Sequence, residues 1–254
     1  REGNPPSRIV ETPSGMINSI GLANIGVEKY ISDMLPIYEE IGTPIIMNIA
    51  GSSIDEYISV LEKIESVSSA IVGYEINISC PNVKEGGMEF GVDCAMTESL
   101  TSELRKRTEK LLIMKLSPNV TDISSIASSA ENGGADAVSA INTVVGMSIN
   151  HQTAKSNIYT TFGGLSGPAI KPIGLACVHK IFNSINIPII GIGGIVNSSD
   201  VVEYILAGAK AVQVGTANFR DPGICVKILN DLDSYINKHN VTLNNLVGRV
   251  KHHD

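Results

Sequence analysis

The run Asn77-Ile78-Ser79-Cys80-Pro81-Asn82 places a thiol between two carboxamides, at the end of an apolar stretch from Ile71 to Ile78. Asn side chains donate and accept, so they read amide and carboxylate edges. A loop thiol becomes a proton-transferring base once it is a thiolate. The design recurs downstream. Met114-Lys115-Leu116-Ser117-Pro118-Asn119 closes a second apolar run, Ile141-Asn142-Thr143 a third, and Gly191-Ile192-Gly193-Gly194 a fourth. Polar or glycine residues at the C-terminal ends of successive strands are how a β/α barrel builds an active site. The pattern points to an enzyme.

Each piece alone has a plainer reading. A lone cysteine is more often a small buried apolar residue than a base, and an isolated loop Asn is usually a turn or cap residue. A lysine ending an apolar strand usually reaches solvent, because a buried ammonium is costly unpaired. Gly-Gly is common turn material. Together they weigh differently. The Asn-x-x-Cys-Pro-Asn frame favours a chemical role for Cys80, and Asn18, Asn77, Asn82 and Asn142 all fall at strand ends or adjoining loops. Gly193-Gly194 and Gly215-Thr216 follow the last two strands, where many barrels bind a phosphate on bare backbone N–H groups.

The elements that position these residues alternate in type. Strands are predicted over Pro44–Ile49, Tyr74–Ser79, Leu111–Leu116, Ala137–Asn142, Ile187–Ile192 and Ala211–Gly215. Helices are predicted over Ile54–Ser69, Ala95–Lys110, Thr121–Asn132, Pro168–Ser184 and Ser198–Ala207, with start signals at Thr121-Asp122 and Ser198-Ser199-Asp200 and stops at Gly133-Gly134 and Gly208. The repeat reads βα, which implies parallel strands with right-handed crossovers, covered on both faces. The fold class is α/β, an open sheet or a (β/α)8 TIM barrel; a closed barrel needs eight strands and six are found. Residues before the first strand read as a Pro/Gly-rich loop (Asn4 to Gly26) and a helical stretch (Val27–Ile41) interrupted by Pro36. Either the sheet is open or the chain is a barrel lacking its first two strands, and a chain that does not open with Met agrees with the second.

At 254 residues a single domain over 1–254 is the default. With 43 % apolar and 18 % charged residues the chain suits a globular core, and a net charge of −7 without Lys/Arg clusters argues against a nucleic-acid partner. Apolar runs too short for a membrane span and an N-terminus unlike a signal peptide point to a cytoplasmic protein with no membrane partner. Cys80, Cys94, Cys177 and Cys225 lack metal spacing and read as reduced thiols, with no metal site expected.

Several motifs in order carry a resemblance to a known family. They are Glu11 through Leu22, Asn77 through Lys84, Lys115 through Asp122, Ile141-Asn142-Thr143, Gly163 through Pro172, Gly193-Gly194 and Val214 through Ala217. The chain resembles the dihydroorotate dehydrogenase family over almost its whole length, most closely the class I, B-type catalytic subunits. The resemblance implies oxidation of dihydroorotate to orotate in pyrimidine biosynthesis with FMN as cofactor. It makes Cys80 the base at C5, while a hydride leaves C6 for the flavin; a Ser here would suit class II. Substrate contacts map to Asn18, Ser19, Ile20, Gly21, Leu22, Asn77, Asn82, Asn142 and Thr143. Flavin contacts map to Asn48, Asn77, Lys115, Ile141, Gly167, Gly193, Gly194, Gly215 and Thr216, with Lys115 beside the flavin pyrimidine ring.

The implied partners are an iron–sulfur, FAD-carrying electron-transfer subunit that passes electrons to NAD, in a heterotetramer around a homodimer core. Phe90-Gly91-Val92-Asp93-Cys94 departs from the family's Phe-Gly-Thr-Asp-Pro. His151, His179, His239, His252 and His253 match no family motif and are expected in solvent or packing roles. Two alternatives stand beside this reading. One is a dihydropyrimidine dehydrogenase-like enzyme, whose base cysteine lies in a downstream loop and whose Ser-Cys-Pro is followed by His where Asn82 stands here. The other is a non-catalytic, truncated flavin-binding remnant.

Overall fold

The computed structural model describes residues 1–67, 70–79, 84–85 and 88–251. All six expected strands form: β1 (Ile45–Ile49), β2 (Ile71–Asn77), β3 (Leu111–Leu116), β4 (Ala137–Ala140), β5 (Ile189–Ile192) and β6 (Ala211–Gln213). They lie side by side in chain order and every neighbouring pair is parallel. Among the described residues the sheet is open between β1 and β6, with alternating helices covering one face. This is the barrel arrangement anticipated, with six of its eight strands.

Side-chain alternation explains the layering. Tyr74, Ile76, Leu112, Met114, Val138 and Ala140 face the helices, where they pack against Leu61, Ile64, Leu100, Leu104, Ile126 and Tyr204. Burying such a side chain contributes about 1.5–3 kcal/mol. The helices start where side chains satisfy their first N–H groups. Asp122 accepts from the N–H of Ser124 (3.0 Å), and Asn197 forms a capping box with Asp200, so the cap precedes the expected Ser198 by one residue. A cap of this kind is worth about 0.5–2 kcal/mol.

Three features depart from expectation. The stretch Asn4 to Gly26 is not all loop: Ile9–Thr12 and Gly15–Asn18 form an antiparallel hairpin. The hairpin continues through Gly163–Ser166 to Val144–Gly146, making a four-stranded antiparallel sheet beyond the end of β4. The helical stretch Val27–Ile41 is three pieces, α-helical over Val27–Lys29, π-helical over Tyr30–Met34 and α-helical over Leu35–Ile41. Pro36 sits in the first turn of the last piece, where no N–H is needed. Finally, Ile224–His239 is a sixteen-residue helix that buries Ile228 and Leu232. No helix among the described residues is long and apolar enough to cross a membrane.

Candidate active site

The concave face of the sheet is polar where the outer face is apolar. Glu75 on β2 is only 5 % exposed. One carboxylate oxygen accepts from Asn48 Nδ2 on β1 (2.7 Å) and Lys115 Nζ on β3 (3.2 Å). The other accepts from Ser139 Oγ on β4 (2.7 Å) and Gln213 Nε2 on β6 (2.8 Å). Burial pushes the Glu75 carboxyl up, but the Lys115 cation and the bonds from Ser139, Gln213 and Asn48 outweigh it and hold the group below its ordinary range.

Above this layer, at the C-terminal ends of the strands, two cavities adjoin. The smaller has a volume of about 150 Å³ and is lined by Lys115, Ile141, Gly167, Gly193, Gly194, Gly215 and Thr216, seven of the nine expected cofactor-side residues. Gly194 has φ 70°, a backbone conformation that side chains resist. A Cβ there would stand 2.9 Å from both the Gly167 carbonyl and the Lys171 nitrogen, so the cradle closes only because the backbone is bare. The Thr216 and Ser166 hydroxyls pair at 2.8 Å on the same wall.

The larger cavity, about 570 Å³, is lined by Asn18, Ser19, Ile20, Gly21, Leu22, Asn77, Asn142 and Thr143. Its Asn18–Leu22 wall is laced by Asn4, whose N–H donates to the Ile20 carbonyl (3.0 Å) and whose Nδ2 donates to the Ser19 carbonyl (2.9 Å). The Ser19 hydroxyl is buried with no hydrogen-bond partner among the described residues. Asn142 Nδ2 donates to Asn77 Oδ1 (3.1 Å), and the Thr143 N–H donates to Asn142 Oδ1 (2.7 Å). Asn142 and Thr143 line both cavities.

Two expected residues, Cys80 and Asn82, lie outside the described residues. Ser79, immediately before Cys80 in the chain, lines the larger cavity and donates its hydroxyl to the Lys115 carbonyl (3.0 Å). Asn77, expected on both sides, lines the larger cavity. Asn48 lines neither; it holds Glu75 and borders a third cavity with Met47, Ile49 and Leu22. Cys94 also lines neither, but a separate depression with Pro118–Asp122. Cys94, Cys177 and Cys225 are free thiols. His151 is exposed, and His239 packs on the Tyr235 ring at 4.5 Å between centroids.

Sequence reasoning missed Glu75, Gln213 and Asn119. A lone acid inside the apolar run Ile71–Ile78 was a signal for Glu75. Asn119 stands within the Lys115–Asp122 motif; its Nδ2 donates to the Thr143 carbonyl and its Oδ1 accepts from the Val145 N–H, both at 2.9 Å.

A curled parallel sheet with adjoining polar cavities at its C-terminal rim defines a β/α-barrel enzyme. The chain belongs to the dihydroorotate dehydrogenase family of oxidoreductases, whose family profile, Dihydroorotate dehydrogenase, matches residues 1–236. It is 47 % identical over 239 residues to the dihydroorotate dehydrogenase B (NAD(+)) catalytic subunit of Bacteroides thetaiotaomicron, covering 94 % of this chain and 78 % of that one. The protein of the same description from Fusobacterium nucleatum is 47 % identical over 251 residues, 98 % and 82 % of the two chains. A crystal structure of DHODH in complex with ferulenol from Eimeria tenella superposes with a TM-score of 0.81 at 21 % identity, over 98 % of this chain and 75 % of that one. At that identity the likeness speaks for the fold.

Proposed function

We propose that this chain oxidises dihydroorotate to orotate in pyrimidine biosynthesis, with FMN in the smaller cavity and substrate in the larger. The observation that carries the reading is the shared wall. Asn142 and Thr143 belong to both cavities, so two ligands seated there would lie against one another. Hydride transfer needs such contact, with reacting atoms about 3–3.5 Å apart.

The residues present fit the groups. The Gly167, Gly193 and Gly194 backbone forms a cradle that a Cβ would fill, suited to a phosphate, and Lys115 supplies a cation on the same cavity. FMN, when bound, supplies the hydride acceptor. Asn18, Asn77 and Asn142 would orient the pyrimidine ring and carboxylate, and the Ser19 hydroxyl, without a partner among the described residues, offers one further hydrogen bond. Cys80, one residue past the cavity-lining Ser79, would take the C5 proton on its thiolate sulfur. Asn82 would add a further substrate contact.

The reading extends to one FMN-binding barrel domain over residues 1–254, in a cytoplasmic homodimer core that joins an iron–sulfur, FAD-carrying subunit and so passes electrons to NAD. The words "catalytic subunit" and "NAD(+)" in the relatives' names support a separate partner subunit and NAD as acceptor.

The test is anaerobic. The purified protein should carry FMN, and dihydroorotate should bleach its visible absorbance while orotate appears in equal amount. A protein that takes up no FMN, or whose bound FMN is reduced by dihydrouracil and not by dihydroorotate, would overturn the proposal.

A further inference from the structure

We propose that Glu75 is a positioning residue for the cofactor side of the site: it fixes the cationic head of Lys115 and cancels its charge, so the cavity meets a held donor with no net charge behind it. The inference rests on reading the smaller cavity as a flavin site.

Two acidic side chains are buried among the described residues, Glu75 and Asp200, and they are held differently. Asp200 accepts from the backbone N–H groups of Val196 and Asn197 and from Lys171 Nζ. Its burial is accounted for by the capping box and a partly exposed ion pair. Glu75 accepts only side-chain donors, and they come from four different strands. A carboxylate has about four lone-pair sites. Here all four are taken.

Two consequences follow from saturation. Glu75 has no free site for a substrate proton, so it is not a second base. Its anionic form is also locked in, because a proton would displace one of the four donors; the depressed titration of the carboxyl agrees with this. As stability alone, the arrangement is poor chemistry, since well-packed apolar side chains usually serve a core as well as a buried ion pair does. What the ion pair adds is placement. Of the four donors, Lys115 and Gln213 line the smaller cavity. Lys115 extends from β3 with a flexible four-carbon stem, and Glu75 on the adjacent strand is the anchor that gives its head one position.

The test uses the flavin-loaded protein and reads the midpoint potential of the bound flavin, together with FMN affinity of the apoprotein. Glu75→Gln, which leaves the Lys115 cation uncompensated, should raise the potential. Lys115→Met, which leaves the Glu75 anion uncompensated, should lower it, and Glu75→Gln added to Lys115→Met should bring it back toward the wild-type value. Ser139→Ala removes one donor without touching charge, so it should lower thermal stability and leave the potential unchanged. Should Glu75→Gln not fold, Glu75→Asp keeps the charge one methylene short and should weaken FMN binding several-fold with the potential retained. A Glu75→Gln protein with lowered stability and an unaltered potential, or a Glu75→Asp protein with unaltered FMN affinity, would reduce Glu75 to a structural ion-pair partner. The underlying flavin reading fails separately: the unaltered chain would then bind no FMN, which would overturn both.

Discussion

The two adjoining cavities are made of different materials. The smaller joins apolar side chains to a glycine cradle, with Gly167 and Gly194 where backbones approach closely, and carries one cation. The larger is lined by carboxamides and hydroxyls held in register by bonds to one another. A backbone cradle fails when an atom is added, and an amide rim fails when one is removed. Substitutions of opposite kinds should therefore separate the two sites.

The largest effect is expected at the proposed base. Cys80→Ser should retain FMN and lose about 100-fold or more in kcat at neutral pH, the usual worth of a positioned general base. Stopped-flow reduction by dihydroorotate measures it. Near-full activity in Cys80→Ser, with loss in Cys94→Ser, would move the base to the depression that Cys94 lines.

Next is Lys115→Ala, which removes the cation and leaves Glu75 buried without its counter-ion. Breaking a buried pair from one side costs about 3–5 kcal/mol. We expect a lower melting temperature, weaker FMN and slower flavin reduction. An unchanged flavin spectrum and reductive half-reaction would show Lys115 to be remote from the cofactor.

Gly194→Ala probes the cradle by addition. A Cβ at φ 70°, 2.9 Å from the Gly167 carbonyl, imposes about 1–3 kcal/mol of local strain. FMN affinity should fall while dihydroorotate binding, measured in the residual flavinated fraction, holds. Asn142→Ala probes the amide rim by deletion. It strips Asn77 of a donor and should cost about 1–3 kcal/mol, seen mainly as a raised KM. Equal losses of FMN in both variants would erase the distinction between the cavities.

The smallest effect concerns acid. The Glu75 carboxyl is lowered in the fold, so its contribution is whole above the ordinary value of 4.5 and is lost as pH falls through the lower folded value. The gap in melting temperature between wild type and Glu75→Gln should be constant above that range and shrink below it. A gap that widened in acid would contradict the assignment.

The six-stranded frame was legible because the strands are mostly apolar and alternate with helical stretches, several of them opened by a capping side chain. Its ends were not. The runs were read through Ser79, Asn142 and Gly215, whereas ladder pairing stops at Asn77, Ala140 and Gln213. The overhang lies on the cavity rim, where single backbone bonds such as that from the Asn142 N–H to the Leu116 carbonyl continue past the ladder. The hairpin Ile9–Thr12/Gly15–Asn18 escaped notice because four-residue strands carry little periodicity, and because its partner Gly163–Ser166 is glycine-rich with no strand preference of its own. Many residues that line the two cavities were singled out by motif order. Glu75 was not, since a buried acid is explained only by donors from four other strands, and sequence spacing does not bring those together.

The wall shared by the cavities has a thermodynamic consequence. Asn142 and Thr143 cannot adjust to one occupant without altering the surface offered to the other. If filling the larger cavity tightens the smaller by some factor, filling the smaller must tighten the larger by the same factor, because coupling free energy is reciprocal. The carboxamide at the end of β4 would then work as a hinge in an energy cycle, setting how strongly each ligand reports the presence of its neighbour.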